Sequence, residues 1–366
     1  MAPERFGSYY VYEKLGAGGM ATVHRAQAAT GAGMPIALKR LLPQLSAVPE
    51  FVQAFLDEAR LARHLHHPNV AETFDFGKVD DTYYIAMELV RGPTLAQVVA
   101  RCVAAKHPVP MPIALYVIVQ LCDALDYAHN LCDAKGKPFA IIHRDVTPSN
   151  IIISDAGTTK LIDFGIAKAT SSEVRTKTGF IKGKFGYVAP EYIGGKISPR
   201  VDLFAAGVIA HELLTGRRLF QVENDMDTLK RVQTLKLEPP SKWNSKIPPP
   251  LDDIVMTSLA RNPEERWQRA SAMRNAFAHV AQTLLTAQQV AAWVEQISGP
   301  PLASEASAVS IEIALLEQTM VTNMRRPGFA EHLVTGRKRA RQNGLLVLGG
   351  LLMLAACSVV AYLAFR

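Results

Sequence analysis

The sequence predicts an α+β chain followed by one C-terminal membrane-spanning helix, and three patterns predict it. Alternating apolar residues flank a glycine cluster near the N-terminus, which reads as a hairpin of extended strands. Apolar residues at steps of three and four mark an amphipathic helix from Glu50 to His64. Residues 344–365 run for 22 positions without a charge and are rich in Leu, Ala and Val.

The hairpin comes first. Leu15-Gly16-Ala17-Gly18-Gly19-Met20-Ala21-Thr22-Val23 follows Tyr10 and Tyr12, and Ala21 and Val23 continue the alternation. Glycines let a backbone approach phosphates closely enough to present N–H groups, where a β-carbon would obstruct. The same cluster also suits an ordinary turn. Ending sixteen residues beyond Val23, Ile36-Ala37-Leu38-Lys39 reads as an apolar strand closed by a lysine. Such a lysine is by default a solvated edge charge. The next helix carries Phe51, Phe55, Ala59 and Ala62 as its apolar stripe, with Glu58 beside it and able to face Lys39. A further strand, Tyr83-Tyr84-Ile85-Ala86, leads into Met87-Glu88-Leu89-Val90.

The densest chemistry lies in His143-Arg144-Asp145-Val146-Thr147-Pro148-Ser149-Asn150, with Asp163-Phe164-Gly165 beginning thirteen residues after Asn150. Two short strands separate them, Ile151-Ile152-Ile153 and Lys160-Leu161-Ile162. A hairpin therefore brings Asp145, Asn150 and Asp163 close together. Phosphoryl transfer needs a carboxylate to orient the attacking hydroxyl, and an amide and a carboxylate to hold magnesium against phosphates.

Taken together, these segments resemble the glycine-rich loop, strand lysine, catalytic loop and metal-binding turn of protein kinases. The resemblance covers about residues 9 to 280, and the bacterial Ser/Thr kinases of eukaryotic type are the nearest pattern. It implies a bilobal fold, with a small antiparallel β lobe and one helix over 9–88 and a larger helical lobe over 91–280. In that reading Asp145 orients the acceptor hydroxyl, and Asn150 and Asp163 hold Mg2+, with Mn2+ as a substitute. Lys39, paired with Glu58, contacts the α- and β-phosphates of ATP. Leu15, Gly16 and Gly18 cover the nucleotide, Val23 and Ala37 lie on its adenine, and Met87 stands behind it. The backbone from Glu88 to Val90 hydrogen-bonds the base. Ala21 departs from the pattern, standing where a third glycine is usual. Ala189-Pro190-Glu191 resembles the end of the activation segment, Asp202 the aspartate that braces the catalytic loop, and Arg266 the partner of Glu191. These three are scaffold, and they favour protein substrates over small molecules.

Another departure concerns the acceptor side. Thr147 stands where Ser/Thr kinases usually carry a lysine, and Lys184, in Gly183-Lys184-Phe185-Gly186-Tyr187, stands where they usually carry a threonine. Lys184 is therefore expected to reach back and act as a catalytic cation, the alternative being a solvated lysine. In the activation segment, Thr176 and Thr178 are the expected phosphosites, with Arg144 as the phosphate's partner. A non-catalytic membrane scaffold is the competing function, and Thr147 is the feature in its favour.

Composition agrees. The chain is 49% hydrophobic and carries a net charge of +7. From Met324 to Gln342 there are six basic residues against one acidic, Glu331. Most of the positive charge thus sits beside the apolar span, which excludes a basic nucleic-acid-binding domain and points to anionic lipids at Arg337, Lys338, Arg339 and Arg341. As a helix, 344–365 would be ~33 Å long, enough to cross a bilayer. The basic flank places the catalytic domain on the cytoplasmic side of the inner membrane, as a single-pass protein. No apolar stretch at the N-terminus suggests a signal peptide. The linker 281–343 contains Val290, Trp293, Val294 and Ile297 at helical spacing, expected to pack on the catalytic domain. It would also let neighbouring copies self-associate and phosphorylate each other. Cys102, Cys122, Cys132 and Cys357 are far apart and read as reduced thiols.

Overall fold

Strands β1 (Glu4–Phe6), β2 (Tyr9–Ala17), β3 (Ala21–Ala28), β4 (Pro35–Leu41), β5 (Thr73–Val79) and β6 (Thr82–Glu88) form one antiparallel sheet. Their order across it is β1-β2-β3-β4-β6-β5. This computed structural model describes residues 3–30, 33–164, 184–281 and 283–298. The expected hairpin is β2–β3, with Gly16 opposite Val23 and Ala17 opposite Thr22. Two register irregularities between Val11 and Gly16 increase the twist of that pair. The sheet curls until its first strands meet β6, with the Phe6 and Tyr9 rings 5.8 and 5.5 Å from that of Tyr84. The Tyr9 and Tyr84 hydroxyls both donate to Asp75 Oδ2 at 2.9 Å. Burial and the Asp75 carboxylate push the Tyr84 hydroxyl up to about 12 and raise that of Tyr9 as well. Inside the curl lie Phe6, Tyr9, Val11, Ala26, Ile36, Leu38 and Ala86.

Two helices precede β5, the short α1 (Pro43–Ser46) and the longer α2 (Pro49–Ala62). A proline opens α2, where its missing N–H removes nothing the helix needs. Phe51, Ala54, Phe55, Glu58 and Ala59 form its buried face, so the glutamate beside the stripe does face inward. The helix stops two residues short of the expected His64.

The second lobe begins with α3 (Leu95–Ala104) and α4 (Met111–Asn130) and contains the hairpin β7 (Ile151–Ile153) and β8 (Thr159–Leu161). Beyond these come α5 (Pro190–Ile193), α6 (Arg200–Thr215), α7 (Asp225–Thr234), α8 (Pro249–Ser258), α9 (Ala270–Ala281) and α10 (Ala287–Ser298). A capping box starts α3: Thr94 Oγ1 accepts the Gln97 N–H and Gln97 Oε1 accepts the Thr94 N–H. By length and composition α4 would span a bilayer, but 67% of its apolar stretch is buried inside this lobe; it is the core helix. Every residue of α6 from Val201 to Leu214 is buried. Gly207 permits this, since a β-carbon there would stand 2.5 Å from the Ser258 side chain of α8.

The apolar residues expected in the linker lie on α10 and pack on this lobe. Val290 and Val294 are 0% and 5% exposed and join its core, with Trp293 and Ile297 against them. Gly157, in the β7–β8 turn at φ +81°, gives way to the backbone of Ala287. Among the described residues, Cys102 and Cys122 are buried and Cys132 is exposed. Arg337–Arg341, the apolar segment 344–365 and Cys357 lie outside the described residues.

Candidate active site

Lys39 ends the apolar stretch of β4, and β3 and β6 flank it on either side, with Val23 and Ile85 as its register partners. Its Nζ lies 2.7 Å from Glu58 Oε1 on α2 and 2.9 Å from Asp163 Oδ1. One ammonium therefore joins the sheet, the helix and the segment after β8. Burial alone would lower the Lys39 ammonium, but the Asp163 and Glu58 carboxylates hold it well above the ordinary lysine value. The Glu58 carboxyl is pushed up by burial, and the nearby Asp163 and Asp145 charges add to this against the pull of Lys39. Burial also opposes ionisation of Asp163, but Lys39 outweighs it and, helped by Lys184, holds that carboxyl below its usual value. The Lys39–Asp163 pair is thus formed at neutral pH and weakens only on acidification through the lowered Asp163 range, whereas the raised Glu58 carboxyl takes up its proton at a higher pH.

Arg144 and Asp163 both adopt left-handed backbone, at φ +64° and +54°. Such residues cost about 1–3 kcal/mol each and persist only where neighbours hold them. Asp202, in the first turn of α6, supplies the restraint at Arg144. Its Oδ2 accepts the His143 N–H and its Oδ1 the Arg144 N–H, each at 2.8 Å. Burial would raise the Asp202 carboxyl, yet the hydrogen bond and charge of His129, with the Arg144 amide, hold it low. The brace is therefore in force at neutral pH and lost only as pH falls through that lowered range. His143 joins the two loops: its Nδ1 accepts the Asp145 N–H at 3.2 Å and its Nε2 lies 3.1 Å from the Ile162 carbonyl. The neutral Nε2–H tautomer satisfies both, so this ring is structural.

Asn150 Nδ2 donates to the Asp145 carbonyl at 2.8 Å and to Asp145 Oδ2 at 3.0 Å. That fixes the amide and turns its oxygen away from Asp145. Lys184 Nζ reaches the same Asp145 Oδ2 at 2.9 Å. Lys184, Asp145 and Thr147 line one cleft with Tyr187, Tyr192 and Val201. Thr176 and Thr178 lie outside the described residues.

The nucleotide-facing residues expected from the sequence spread over β2, β3, β4 and the segment after β6. Leu15 is 43% exposed at the end of β2. A β-carbon on Gly16 would meet nothing within 4 Å, which leaves the room that a phosphate needs. The Gly18 N–H is already used within the hairpin, donating to the Ala21 carbonyl at 2.8 Å. Ala37 is buried opposite Met87. Glu88 closes β6, with Val90 two residues on. The side chain of Glu88 is committed to Lys160, at 2.7 Å, and its N–H donates to the Glu72 carbonyl at 2.8 Å, so what it could offer a base is its own carbonyl. The acid and amide donors of Asp163 and Asn150, with the room at Gly16, fit a phosphate-bound divalent ion.

Sequence reasoning missed two braces. His129 Nε2 lies 2.8 Å from Asp202 Oδ2 and its side chain is 7% exposed. The signal was a polar residue continuing the α4 stripe of Ile118, Cys122 and Leu125. The Tyr187 hydroxyl donates to buried Glu212 at 2.8 Å, and Arg218 pairs with the same carboxylate at 3.0 Å. No local pattern announces that cluster.

The expected bridge between Arg266 and Glu191 is bidentate, at 2.6 and 2.7 Å, and the Arg266 side chain is fully buried. Arg266 also donates to the Arg200 and Arg261 carbonyls and lies 4.9 Å over the Phe204 ring. Arg266→Ala strands the Glu191 carboxylate and is expected to cost about 3–5 kcal/mol. Denaturant unfolding of the two proteins measures it.

The sequence profile of the protein kinase domain matches residues 9–278. Tyrosine-protein kinase MasK of Myxococcus xanthus is 38% identical over 275 residues, 74% of this chain and 43% of that protein. Serine/threonine-protein kinase PrkC of Bacillus subtilis is 35% identical over 271 residues, 73% of this chain and 39% of that protein. The chain thus spans less than half the length of these curated relatives. The crystal structure of the Mycobacterium tuberculosis PknI kinase domain aligns with a TM-score of 0.60 at 27% identity, covering 77% of this chain and 99% of that one. With two lobes, a lysine bridging them and a braced loop between, this chain belongs to the protein kinase family and has bacterial Ser/Thr kinases among its relatives.

Proposed function

We propose that this protein transfers the γ-phosphoryl group of ATP to Ser/Thr hydroxyls of proteins, including its own activation segment, while anchored in the inner membrane. One observation carries this reading: Lys39 holds Glu58, 19 residues away, and Asp163, 124 residues away, at hydrogen-bond distance at once. That arrangement suits the α- and β-phosphates on one side and a metal-bearing carboxylate on the other. Asn150 and Asp163 would hold Mg2+ or Mn2+, which supplies positive charge against the β- and γ-oxygens when bound. Asp145 orients the acceptor hydroxyl and receives its proton. Val23, Ala37 and the backbone of Glu88 and Val90 hold the adenine, and Gly16 and Gly18 cover the phosphates.

Label transfer from ATP tests this. The full chain is expected to label a protein substrate and itself, with label in the segment bearing Thr176 and Thr178, while Lys39→Met labels neither. A scaffold without activity would leave both unlabelled. The relative named a tyrosine kinase, together with Thr147 in place of a lysine, favours a second reading in which tyrosine is also an acceptor. Acid hydrolysis of the labelled products separates phosphoserine and phosphothreonine from phosphotyrosine.

Anchoring rests on 344–365 and on the basic residues Arg337, Lys338, Arg339 and Arg341, which would meet anionic lipids on the cytoplasmic face. The full chain is expected in the membrane fraction, and a chain ending at residue 343 in the soluble fraction. Equal partitioning of the two would remove the anchor from this account. Tethered neighbours would then self-associate and reach each other's activation segments.

A further inference from the structure

Two side chains in the cleft that Asp145 lines hold positions that local structure does not explain. Thr147 is 3% exposed, and its Oγ1 has no hydrogen-bond partner among the described residues. It stands at the N-cap of the short turn Pro148–Asn150, where a threonine hydroxyl ordinarily accepts a backbone N–H. No such side-chain bond forms here, and the Asn150 N–H goes to the Thr147 carbonyl at 2.9 Å. A buried hydroxyl left unpaired is costly, so it calls for a partner that arrives from outside. Lys184 approaches Asp145 Oδ2 at 2.9 Å while 37% of its side chain remains exposed. Both residues line the same cleft as Asp145.

We propose that Lys184 and Thr147 form a clamp on the acceptor side, Lys184 giving a cation and Thr147 a hydroxyl donor to the oxygens of the phosphoryl group in transfer. The inference rests on the phosphoryl-transfer reading above and assigns a joint task to two residues on different segments. In the step, the acceptor oxygen bonds to the γ-phosphorus as the bond from that phosphorus to the β–γ bridging oxygen breaks. The electron pair of the broken bond leaves with ADP, and the acceptor's proton passes to the Asp145 carboxylate. As that carboxylate is neutralised, Lys184 exchanges Asp145 Oδ2 for a phosphoryl oxygen, where charge is developing. Thr147 Oγ1 gains the partner it lacks. The cation thus comes from the segment ending at Glu191, so the site is complete only when that segment holds Lys184 in place.

The full chain is compared with Lys184→Thr, Thr147→Val and the exchange variant Thr147→Lys/Lys184→Thr. Lys184→Thr is expected to lower kcat about 100-fold, the scale of one lost electrostatic donor, with the KM for protein substrate nearly unchanged. Thr147→Val keeps the side-chain shape, loses only the hydroxyl, and is expected to lower kcat about tenfold. The exchange variant restores one cation and one hydroxyl and should regain most of the loss. Calorimetry gives a readout apart from turnover. Mg-ADP should bind all four proteins alike, while Mg-ADP with aluminium fluoride, which mimics the phosphoryl group in transfer, should bind both single variants more weakly. Full kcat or undiminished aluminium fluoride affinity in either single variant would overturn the clamp. A parent chain that transfers no phosphate would instead overturn the kinase reading beneath it. Should the exchange variant not fold, the two single variants decide.

Discussion

Asp145→Asn is expected to lower phosphoryl transfer about 10²- to 10⁴-fold, the range that a positioned acid–base group contributes. The substitution keeps the shape of the side chain. An amide oxygen can still accept from Asn150 Nδ2 and Lys184 Nζ, which now share Asp145 Oδ2 at 3.0 and 2.9 Å. In the proposed mechanism, what disappears is the capacity to take the acceptor's proton. Thermal stability and ATP affinity should therefore stay close to those of the parent, and the loss should fall on kcat. Steady-state kinetics with a protein acceptor, beside calorimetry with Mg-ATP, separates the two. A large rise in the dissociation constant for ATP would mean that Asp145 acts mainly in binding.

Lys39→Met should fail in a different way. It removes the one ammonium that Glu58 and Asp163 share, at 2.7 and 2.9 Å. Both carboxylates then lose the counter-charge they share, and α2 loses its polar link to the sheet. Loss of such an electrostatic contact is expected to lower kcat about 10²- to 10³-fold, with weaker ATP binding as well. Hydrogen exchange should show α2 opening more readily than in the parent, because its tie to β4 is gone. Asp145→Asn should leave that exchange unchanged. The contrast between the two variants distinguishes a residue that holds the site together from one that handles the proton.

Much of this arrangement was legible in the chain. Glycine spacing and alternation gave the β2–β3 hairpin, and the Phe51–Phe55–Ala59 stripe gave α2 together with the inward face that carries Glu58. The short strands after Asn150 implied that Asp163 would return to it. What the sequence could not show was non-local. Lys160 on Glu88, and Tyr187 with Glu212 and Arg218, join elements whose approach depends on the packing of the whole lobe. His129 was legible only as a polar residue on an apolar stripe, and its partner, Asp202, lies 73 residues away. Helix α10 shows the reverse case. Its apolar spacing was plain, but its place in the large-lobe core depends on Gly157 making room for Ala287, which no periodicity records.

Lys39, Glu58 and Asp163 meet in one cluster, while Asp145, Asn150 and Lys184 meet in another. Transfer of the labelled γ-phosphoryl group by the full chain to a protein acceptor, run beside Asp145→Asn and Lys39→Met, tests whether these groups act together. Label is expected on the acceptor with the parent chain and almost none with either variant. Equal labelling by all three proteins would contradict it.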